Sequence, residues 1–283
     1  MKSRKLDTNH KNLIVSLILY TLIAAFGAWR GFVILSYLMP ALSVMLYSAG
    51  YLLLCTALPL GFFLPHSKLS KALDIFGNYW LCFQLTFFFG SLMEWTVKLI
   101  TVNLLHVLTK TQYAKVSMIL FVVTVIATVY GIIHARVIRI TRYDCPVRKP
   151  GIQGKTLTIA HLSDLHLGSI NDYKAIKKVV ERVNSISPDL ICITGDTFTE
   201  NIKDIFERKE MEELFRSLKS RYGTYACLGN HDSGSDFSEM LQFFKNAGIR
   251  LLCEEGVDLD GILLYGRTDM TPGGDLTHRR KAI

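Results

Sequence analysis

The chain has 283 residues, half of them hydrophobic and only 20% charged, which argues against a purely soluble globule. Its formal charge of +8 is unevenly divided, with 15 basic and 4 acidic residues in 1–150 against 17 and 20 in 151–283. The basic excess therefore belongs to the apolar half, and the other half has no basic stripe with interleaved aromatic residues. This pattern indicates a membrane protein and argues against a nucleic-acid-binding one.

Four apolar runs in the first half are long enough to cross a bilayer, which needs about 20 apolar residues per helix. They cover residues 13–29, 41–64, 75–93 and 116–135. We expect a transmembrane region of about four helices over residues 1–142, a Pro- and Gly-containing linker over 143–154 and a soluble domain over 155–283. The amino terminus has the composition of a secretion signal, but three more spans follow, so an uncleaved first helix is expected.

Lysine and arginine are concentrated in the amino-terminal tail, in the loop after the second span and in the segment after the fourth. With four spans these three regions lie on one side of the membrane, which the positive-inside rule makes cytoplasmic. We therefore predict a multi-pass cell membrane protein whose soluble domain is cytoplasmic. The six cysteines form no C-x-x-C pair and two lie inside apolar runs, so neither a disulfide framework nor a thiolate metal site is expected. Reduced thiols in a cytoplasmic domain are the simpler interpretation.

Glu94 lies at the end of the third span, with Lys98 four residues later. An ionisable group inside a membrane can mark a transport path. A local helical ion pair between these two residues, near the interface, is the simpler interpretation and the one expected here.

The second half alternates short apolar strands with amphipathic helices, a pattern typical of βαβ units and parallel strands. Strands are predicted over residues 156–160, 190–193 and 225–228, and helices over 173–186, 203–219 and 237–247. Asp260 and Gly261 then predict a tight hairpin turn. The expected fold class is a multi-span α-helical membrane region followed by an α/β domain.

A polar cluster follows each predicted strand: His-Leu-Ser-Asp-Leu-His-Leu-Gly at 161–168, Thr-Gly-Asp at 194–196 and Leu-Gly-Asn-His-Asp at 228–232. The spacings from Asp164 to Asp196 (32 residues) and from Asp196 to Asn230 (34 residues) each suit one βαβ step of about 30 residues. The clusters are therefore expected to meet at the carboxyl edge of the sheet, where α/β proteins place their sites. His161 is expected to be structural.

The side chains gathered there are carboxylates, imidazoles and an amide, which suit divalent Mn, Fe or Zn. A central carboxylate can bridge two ions about 3.5–4 Å apart, and such a pair binds phosphoryl oxygens and activates water. Each residue taken alone could be a turn residue or a helix cap. Taken together and in register, they favour a two-metal site.

These motifs resemble the calcineurin-like metallophosphoesterases, whose D-x-H, G-D and G-N-H-[DE] motifs occur here in order. The preceding helical half and the segment Gly-Arg-Thr-Asp at 266–269 are similar to the membrane-anchored bacterial branch of that family. The resemblance implies an α/β/β/α sandwich, two divalent metal ions and hydrolysis of a phosphoester.

Carried over by position, the resemblance implies that Asp164 and His166 bind the first metal ion, that Asp196 bridges and that Asn230 binds the second. His231 is implied as the catalytic residue that donates a proton to the leaving oxygen. Asp232 is a candidate for orienting His231.

The family's later histidine motifs have no counterpart, since only His278 follows, in a different context. Residues 275–283 are typical of the opening of a helix with no stop signal. The expectation is a truncated chain with an incomplete sandwich, in which residues 155–283 are the amino-terminal part of the domain. Weak or no hydrolysis is expected from residues 1–283 alone.

The leading functional hypothesis is a membrane-anchored, metal-dependent hydrolase of phosphoesters (mono-, di- or pyrophosphate) with a phosphorylated small-molecule or lipid-linked substrate. The first alternative is a non-catalytic membrane protein with a binding or scaffolding role, which metal content would distinguish. The second is a transporter or channel with a regulatory soluble part, which predicts more intramembrane charge than Glu94.

Overall fold

The computed structural model describes residues 2–105, 107, 109–146, 156–199, 202–232 and 236–267. It divides the chain into two compact units, 1–137 and 138–283. Most of the expected linker and the predicted helix opening at 275–283, with His278, lie outside the described residues.

The first unit consists of helices α1 (Lys2–Leu38), α2 (Val44–Phe63), α3 (Lys68–Lys98) and α4 (Lys110–His134), with a π-helical turn, Leu99–Leu104, after α3. All four helices are long and apolar enough to cross a membrane, so the expected number of such helices is confirmed in the described chain. Most of their large apolar side chains are exposed, as suits a lipid-facing surface.

Small residues let α2 and α3 pack closely. A Cβ added at Gly77 would lie 2.5 Å from the Cα of Leu58, and one at Gly61 would lie 2.5 Å from the backbone nitrogen of Asp74. Close backbone approach of this kind is the usual means by which membrane helices gain contact area, because lipid supplies little hydrophobic driving force between helices.

The expected local ion pair between Glu94 and Lys98 is wrong. The Glu94 carboxylate forms an ion pair with Arg30 of α1 and accepts hydrogen bonds from Tyr113 and Ser117 of α4. Lys98 lies instead with its ammonium 5.1 Å from the ring centroid of Tyr113. Glu94 faces the bundle interior, where a carboxylate is tolerated only when it is paired and fully hydrogen-bonded.

The second unit contains a four-stranded parallel sheet in the order β1 (Ile159–Leu162), β2 (Leu190–Thr194), β3 (Thr224–Cys227) and β4 (Arg250–Leu251). The connecting helices are α5 (Tyr173–Ser185), α6 (Arg208–Arg216) and α7 (Phe237–Asn246). The predicted helical region followed by an α/β domain with parallel strands is therefore confirmed.

One face of the sheet packs against the three helices. Its inward side chains, which include Ile191, Ile193 and Ala226, are buried and join the apolar faces of α5, α6 and α7 in the core. This core fixes the strands and leaves their carboxyl ends to loops that carry the polar clusters.

Two local predictions have different outcomes. The hairpin is confirmed: β5 (Glu255–Leu259) and β6 (Ile262–Gly266) are antiparallel, and Asp260 and Gly261 have φ angles of 54° and 88°. The helix predicted over residues 203–219 is wrong in extent, because a 3-10 turn, Ile202–Asp204, precedes the shorter α6. Ile202 and Ile205 are both buried in the core, and that packing overrides a continuous helix.

Candidate metal centre at the carboxyl edge of the sheet

Three of the predicted metal ligands converge. One ligand atom each from Asp164, His166 and Asp196 lies within 4.8 Å of the other two. Asp164 is exposed and the other two are partly buried, so the group is open to solvent on one side. Two carboxylates and an imidazole are hard-to-borderline donors, and this set and spacing fit a divalent ion of the Mn, Fe or Zn type.

The three candidate ligands also have strained backbone conformations and make up half of the six described non-glycine residues with positive φ. Asp164, His166 and Asp196 have φ angles of 53°, 41° and 49°, in the left-handed region that non-glycine residues rarely adopt. Such conformations cost about 1–3 kcal/mol each and persist only where the surroundings enforce them. Strain at three adjacent chemical groups is typical of a functional site.

Parallel pairing continues past the strand ends and holds these residues in place. The amide of Asp164 donates to the carbonyl of Gly195 at 3.3 Å, and the amide of His166 donates to the carbonyl of Asp196 at 3.0 Å. The side chain of Asn171 also donates to the carbonyl of Leu165 at 2.9 Å. This hydrogen bond stabilises the loop after β1, which carries Asp164 and His166.

Glycines allow the second and third loops to approach each other. Gly195 has a φ of 77°, and a Cβ there would lie 2.9 Å from the Cα of Gly229. A Cβ on Gly229 would collide with the backbone nitrogen and Oδ1 of Asp196. The carboxylate of Asp196 therefore occupies space that any larger residue at 229 would take.

The third loop reaches the site through its backbone. The amide of His231 donates to Oδ1 of Asp196 at 3.0 Å. Asn230, the fourth predicted ligand, is exposed and directly precedes this contact. The structure thus brings the loop of Asn230 and His231 against the central carboxylate.

The ring of His231 stands edge-on to that of His166, with 5.0 Å between centroids. Its Nδ1 lies 2.9 Å from the carbonyl oxygen of Thr199. Because a carbonyl only accepts, Nδ1 carries a proton and Nε2 is the nitrogen left for chemistry. Sequence reasoning missed Thr199, since a backbone carbonyl leaves no mark on residue type.

Asp232 has a different place from the one suggested by the sequence. Its carboxylate accepts from the amide of Phe198 at 2.9 Å and from the amide of Gly229 at 3.0 Å, and the contact that orients the His231 ring comes from Thr199. Burial raises the pKa of the Asp232 carboxyl, the nearby charge of Asp196 adds to this, and the amide donors oppose it.

Two further polar contacts border the cluster. Nε2 of His161 lies 2.6 Å from the hydroxyl of Thr194, at the ends of β1 and β2. The hydroxyl of Ser163 donates to the Asp164 carboxylate. Ser163 is a second contact that sequence reasoning missed, although its place directly before a predicted ligand is a usable signal.

Comparison with known proteins shows which family model part of the chain matches. Residues 157–280 match the family model described as calcineurin-like phosphoesterase. An uncharacterised metallophosphoesterase of Aquifex aeolicus is 28% identical over 160 residues, which cover 56% of this chain and 59% of that protein. No solved structure matches significantly.

Two other relatives add context. A transmembrane protein with a metallophosphoesterase domain from Danio rerio is 26% identical over 138 residues, 48% of this chain and 31% of that protein. A UDP-2,3-diacylglucosamine pyrophosphatase of Chlamydia trachomatis (LpxG) is 33% identical over 100 residues, 35% of this chain and 30% of that protein. The chain thus spans between about a third and three fifths of the length of these relatives. The predicted family resemblance is confirmed.

Proposed function

We propose that this chain, whose residues 157–280 carry a calcineurin-like phosphoesterase domain, is a membrane-anchored, metal-dependent hydrolase of mono-, di- or pyrophosphate esters. The convergence of Asp164, His166 and Asp196 at the carboxyl edge of the parallel sheet carries the proposal. Family membership alone would leave the chemistry of this particular chain open.

The proposed ligands are divided between two ions. Asp164 and His166 would hold the first ion, Asp196 would be shared by both and Asn230 would contribute to the second. When bound, two divalent ions of Mn, Fe or Zn supply Lewis-acid activation of water and neutralisation of phosphoryl charge. The strained loop conformations at Asp164, His166 and Asp196 support this assignment, because they hold the donors in position before any ion arrives.

His231 is the proposed proton donor to the leaving oxygen. The carbonyl of Thr199 fixes the Nδ1 proton and the ring orientation, which leaves Nε2 as the atom that gives up a proton when the imidazole is cationic. The backbone amide of His231 also donates a hydrogen bond to the Asp196 carboxylate. This contact fixes the distance between the proposed proton donor and the central carboxylate.

A bilayer-linked substrate is the proposed class. Four helices long enough to cross a membrane precede the domain, and the basic residues at one end of them favour a cytoplasmic site. The chlamydial relative is a pyrophosphatase of UDP-2,3-diacylglucosamine. A nucleotide-linked or lipid-linked pyrophosphate is therefore the first compound to assay.

The test uses the full chain in lipid nanodiscs, stripped with chelator and reloaded with Mn²⁺. Bound metal is counted by mass spectrometry, and hydrolysis is followed with bis-p-nitrophenyl phosphate and with UDP-2,3-diacylglucosamine. Metal uptake that disappears in Asp196→Asn and persists in Asp260→Asn, an exposed acidic residue on the hairpin, would support the proposal. The weak hydrolysis expected of residues 1–283 should show the same dependence on Asp196. A wild-type chain that takes up no more metal than Asp196→Asn would overturn it and favour the scaffolding alternative.

A further inference from the structure

The proposed chemistry does not use the carboxylate of Asp232. This side chain is buried, with only 1% of its surface exposed. Both of its oxygens accept from backbone amides, Oδ1 from Phe198 at 2.9 Å and Oδ2 from Gly229 at 3.0 Å. A carboxylate taken out of water in this way is expensive unless its acceptor sites are filled. Here the amides of both loops fill those sites, which a residue without two accepting oxygens would not do.

The two donors belong to different loops. Phe198 lies two residues after Asp196, on the loop that follows β2, and Gly229 begins the turn after β3 that carries Asn230 and His231. One side chain thus ties the second loop of the site to the third. The close contact of Gly229 with Asp196 lies beside these hydrogen bonds. That contact limits how closely the two loops approach, whereas the hydrogen bonds to Asp232 keep them from moving apart.

We infer that Asp232 is a positioning residue that fixes the distance between the loop of Asp196 and the loop of Asn230 and His231, and so sets the affinity of the metal site. The inference rests on the proposed function, because it concerns the same candidate ligands. Groups that orient metal ligands without touching the ion commonly change metal affinity about 10–100-fold when they are replaced.

The tether uses both oxygens of the Asp232 carboxylate. The amides of Phe198 and Gly229 point at them from opposite loops, one at each oxygen, and a backbone hydrogen bond from Thr197 adds to the Phe198 side. Asparagine offers one accepting oxygen and turns an NH₂ group toward the second amide, so that one loop loses its tether while the shape of the side chain is kept. Asp232→Asn is therefore a nearly isosteric test of the tether.

Asp236 supplies the matched control. It is also a buried aspartate, 8% exposed, four residues further along, but its carboxylate pairs with the ammonium of Lys203 at 3.2 Å. Asp236→Asn removes a buried negative charge from the same stretch of chain without removing a tether between Phe198 and Gly229.

The first experiment titrates Co²⁺ alone into the full chain in detergent micelles and follows the visible absorption of the bound ion. Melting temperatures without metal are recorded for wild type, Asp232→Asn and Asp236→Asn. The expected result is a Co²⁺ affinity at least tenfold weaker and an altered absorption spectrum in Asp232→Asn, with both unchanged in Asp236→Asn and with similar metal-free melting temperatures for the two variants.

Asp232→Asn that binds Co²⁺ with the wild-type affinity and spectrum overturns the inference and leaves the proposed function standing. A wild type that binds Co²⁺ no better than Asp196→Asn overturns the proposed function, and the inference falls with it.

A second measurement needs no metal. In protein labelled with ¹³C at histidine Cε1, the signals of His166 and His231, whose rings are 5.0 Å apart, are expected to shift or broaden in Asp232→Asn. The signal of His161 serves as the internal reference, because its partner is Thr194. Unchanged signals from His166 and His231 would also overturn the inference.

Discussion

The guanidinium of Arg30 in α1 is paired with the carboxylate of Glu94 in α3, and each side chain is only 2% exposed. Tyr113 and Ser117 of α4 donate to the other oxygen of Glu94, so one carboxylate joins three helices. Buried ionic groups of this kind are weak evidence for stability in themselves, but the removal of one partner leaves an uncompensated charge.

Glu94→Ala is therefore expected to destabilise the helical unit by about 3 kcal/mol or more, because Arg30 remains buried without a counter-charge. The double variant Arg30→Met/Glu94→Met is expected to lose less than Glu94→Ala alone. Unfolding in mixed micelles, followed by circular dichroism, measures both. Equal losses of unfolding free energy in the single and double variants would show that the attraction within the pair determines the loss, and not the charge left unpaired on Arg30.

Gly229→Ala is expected to abolish metal binding, since the added Cβ would collide with the backbone and carboxylate of Asp196. Gly261→Ala is the control, because Gly261 has a positive φ of 88° but nothing within 4 Å of an added Cβ. That variant should show only the modest cost of backbone strain, about 1 kcal/mol, with metal binding intact. Metal uptake by Gly229→Ala at the wild-type level would contradict the site geometry.

His231→Gln is expected to lower the weak hydrolysis of the chain about 10²–10⁴-fold, the usual contribution of a general acid, while metal content stays near the wild-type value. His161→Gln should have a much smaller effect, because His161 contacts Thr194 at the strand ends. Steady-state rates and metal analysis on the same preparations test this. A parallel loss of metal and activity in His231→Gln would make His231 a ligand and not a proton donor.

Thiol reactivity should depend on pH in a site-specific way. Burial raises the pKa of the Cys192 thiol, and Cys227 on the neighbouring strand adds to this. Since the thiolate is the reactive form, alkylation of Cys192 at neutral pH should be slower than that of a free thiol and should rise only at higher pH. Exposed Cys145 serves as the comparison in a time course of iodoacetamide labelling read by peptide mass spectrometry. Equal rates at both cysteines at neutral pH would contradict the prediction.

The proposed orientation can be tested at Cys145, which follows α4 and is exposed. In a variant with Cys145 as its sole cysteine, a membrane-impermeant maleimide is expected to label permeabilised cells and to leave intact cells unlabelled. Asn103→Cys, placed on the connection between α3 and α4, should give the opposite pattern. Labelling of Cys145 in intact cells would place the domain outside.

The sequence predicted the parts of the fold that repeat regularly along the chain. Length and apolarity predicted four candidate spans, and the alternation of strand and helix predicted the parallel sheet. The convergence of Asp164, His166 and Asp196 followed from a general property of parallel sheets, whose strands end at one edge. Such features depend on periodicity and on local composition, both of which can be read from one chain.

The contacts that escaped prediction depend on distant partners or on the backbone. Arg30 and Glu94 are 64 residues apart, so the local pair with Lys98 was the natural expectation. The acceptor for His231 is a main-chain carbonyl, and the partners of Asp232 are main-chain amides. The break before α6 depends on the burial of Ile205, which only the assembled core decides.

The strand order β1-β2-β3-β4 has a consequence for synthesis on the ribosome. Among the described strands of this sheet, each new strand is added beside the one made just before it, and none inserts between two earlier ones. The stretch from Asp164 to His231 emerges in roughly 3–13 seconds at the usual elongation speed of about 5–20 residues per second. The loops that hold the candidate ligands can therefore be assembled in a single vectorial pass, in the order in which they are translated.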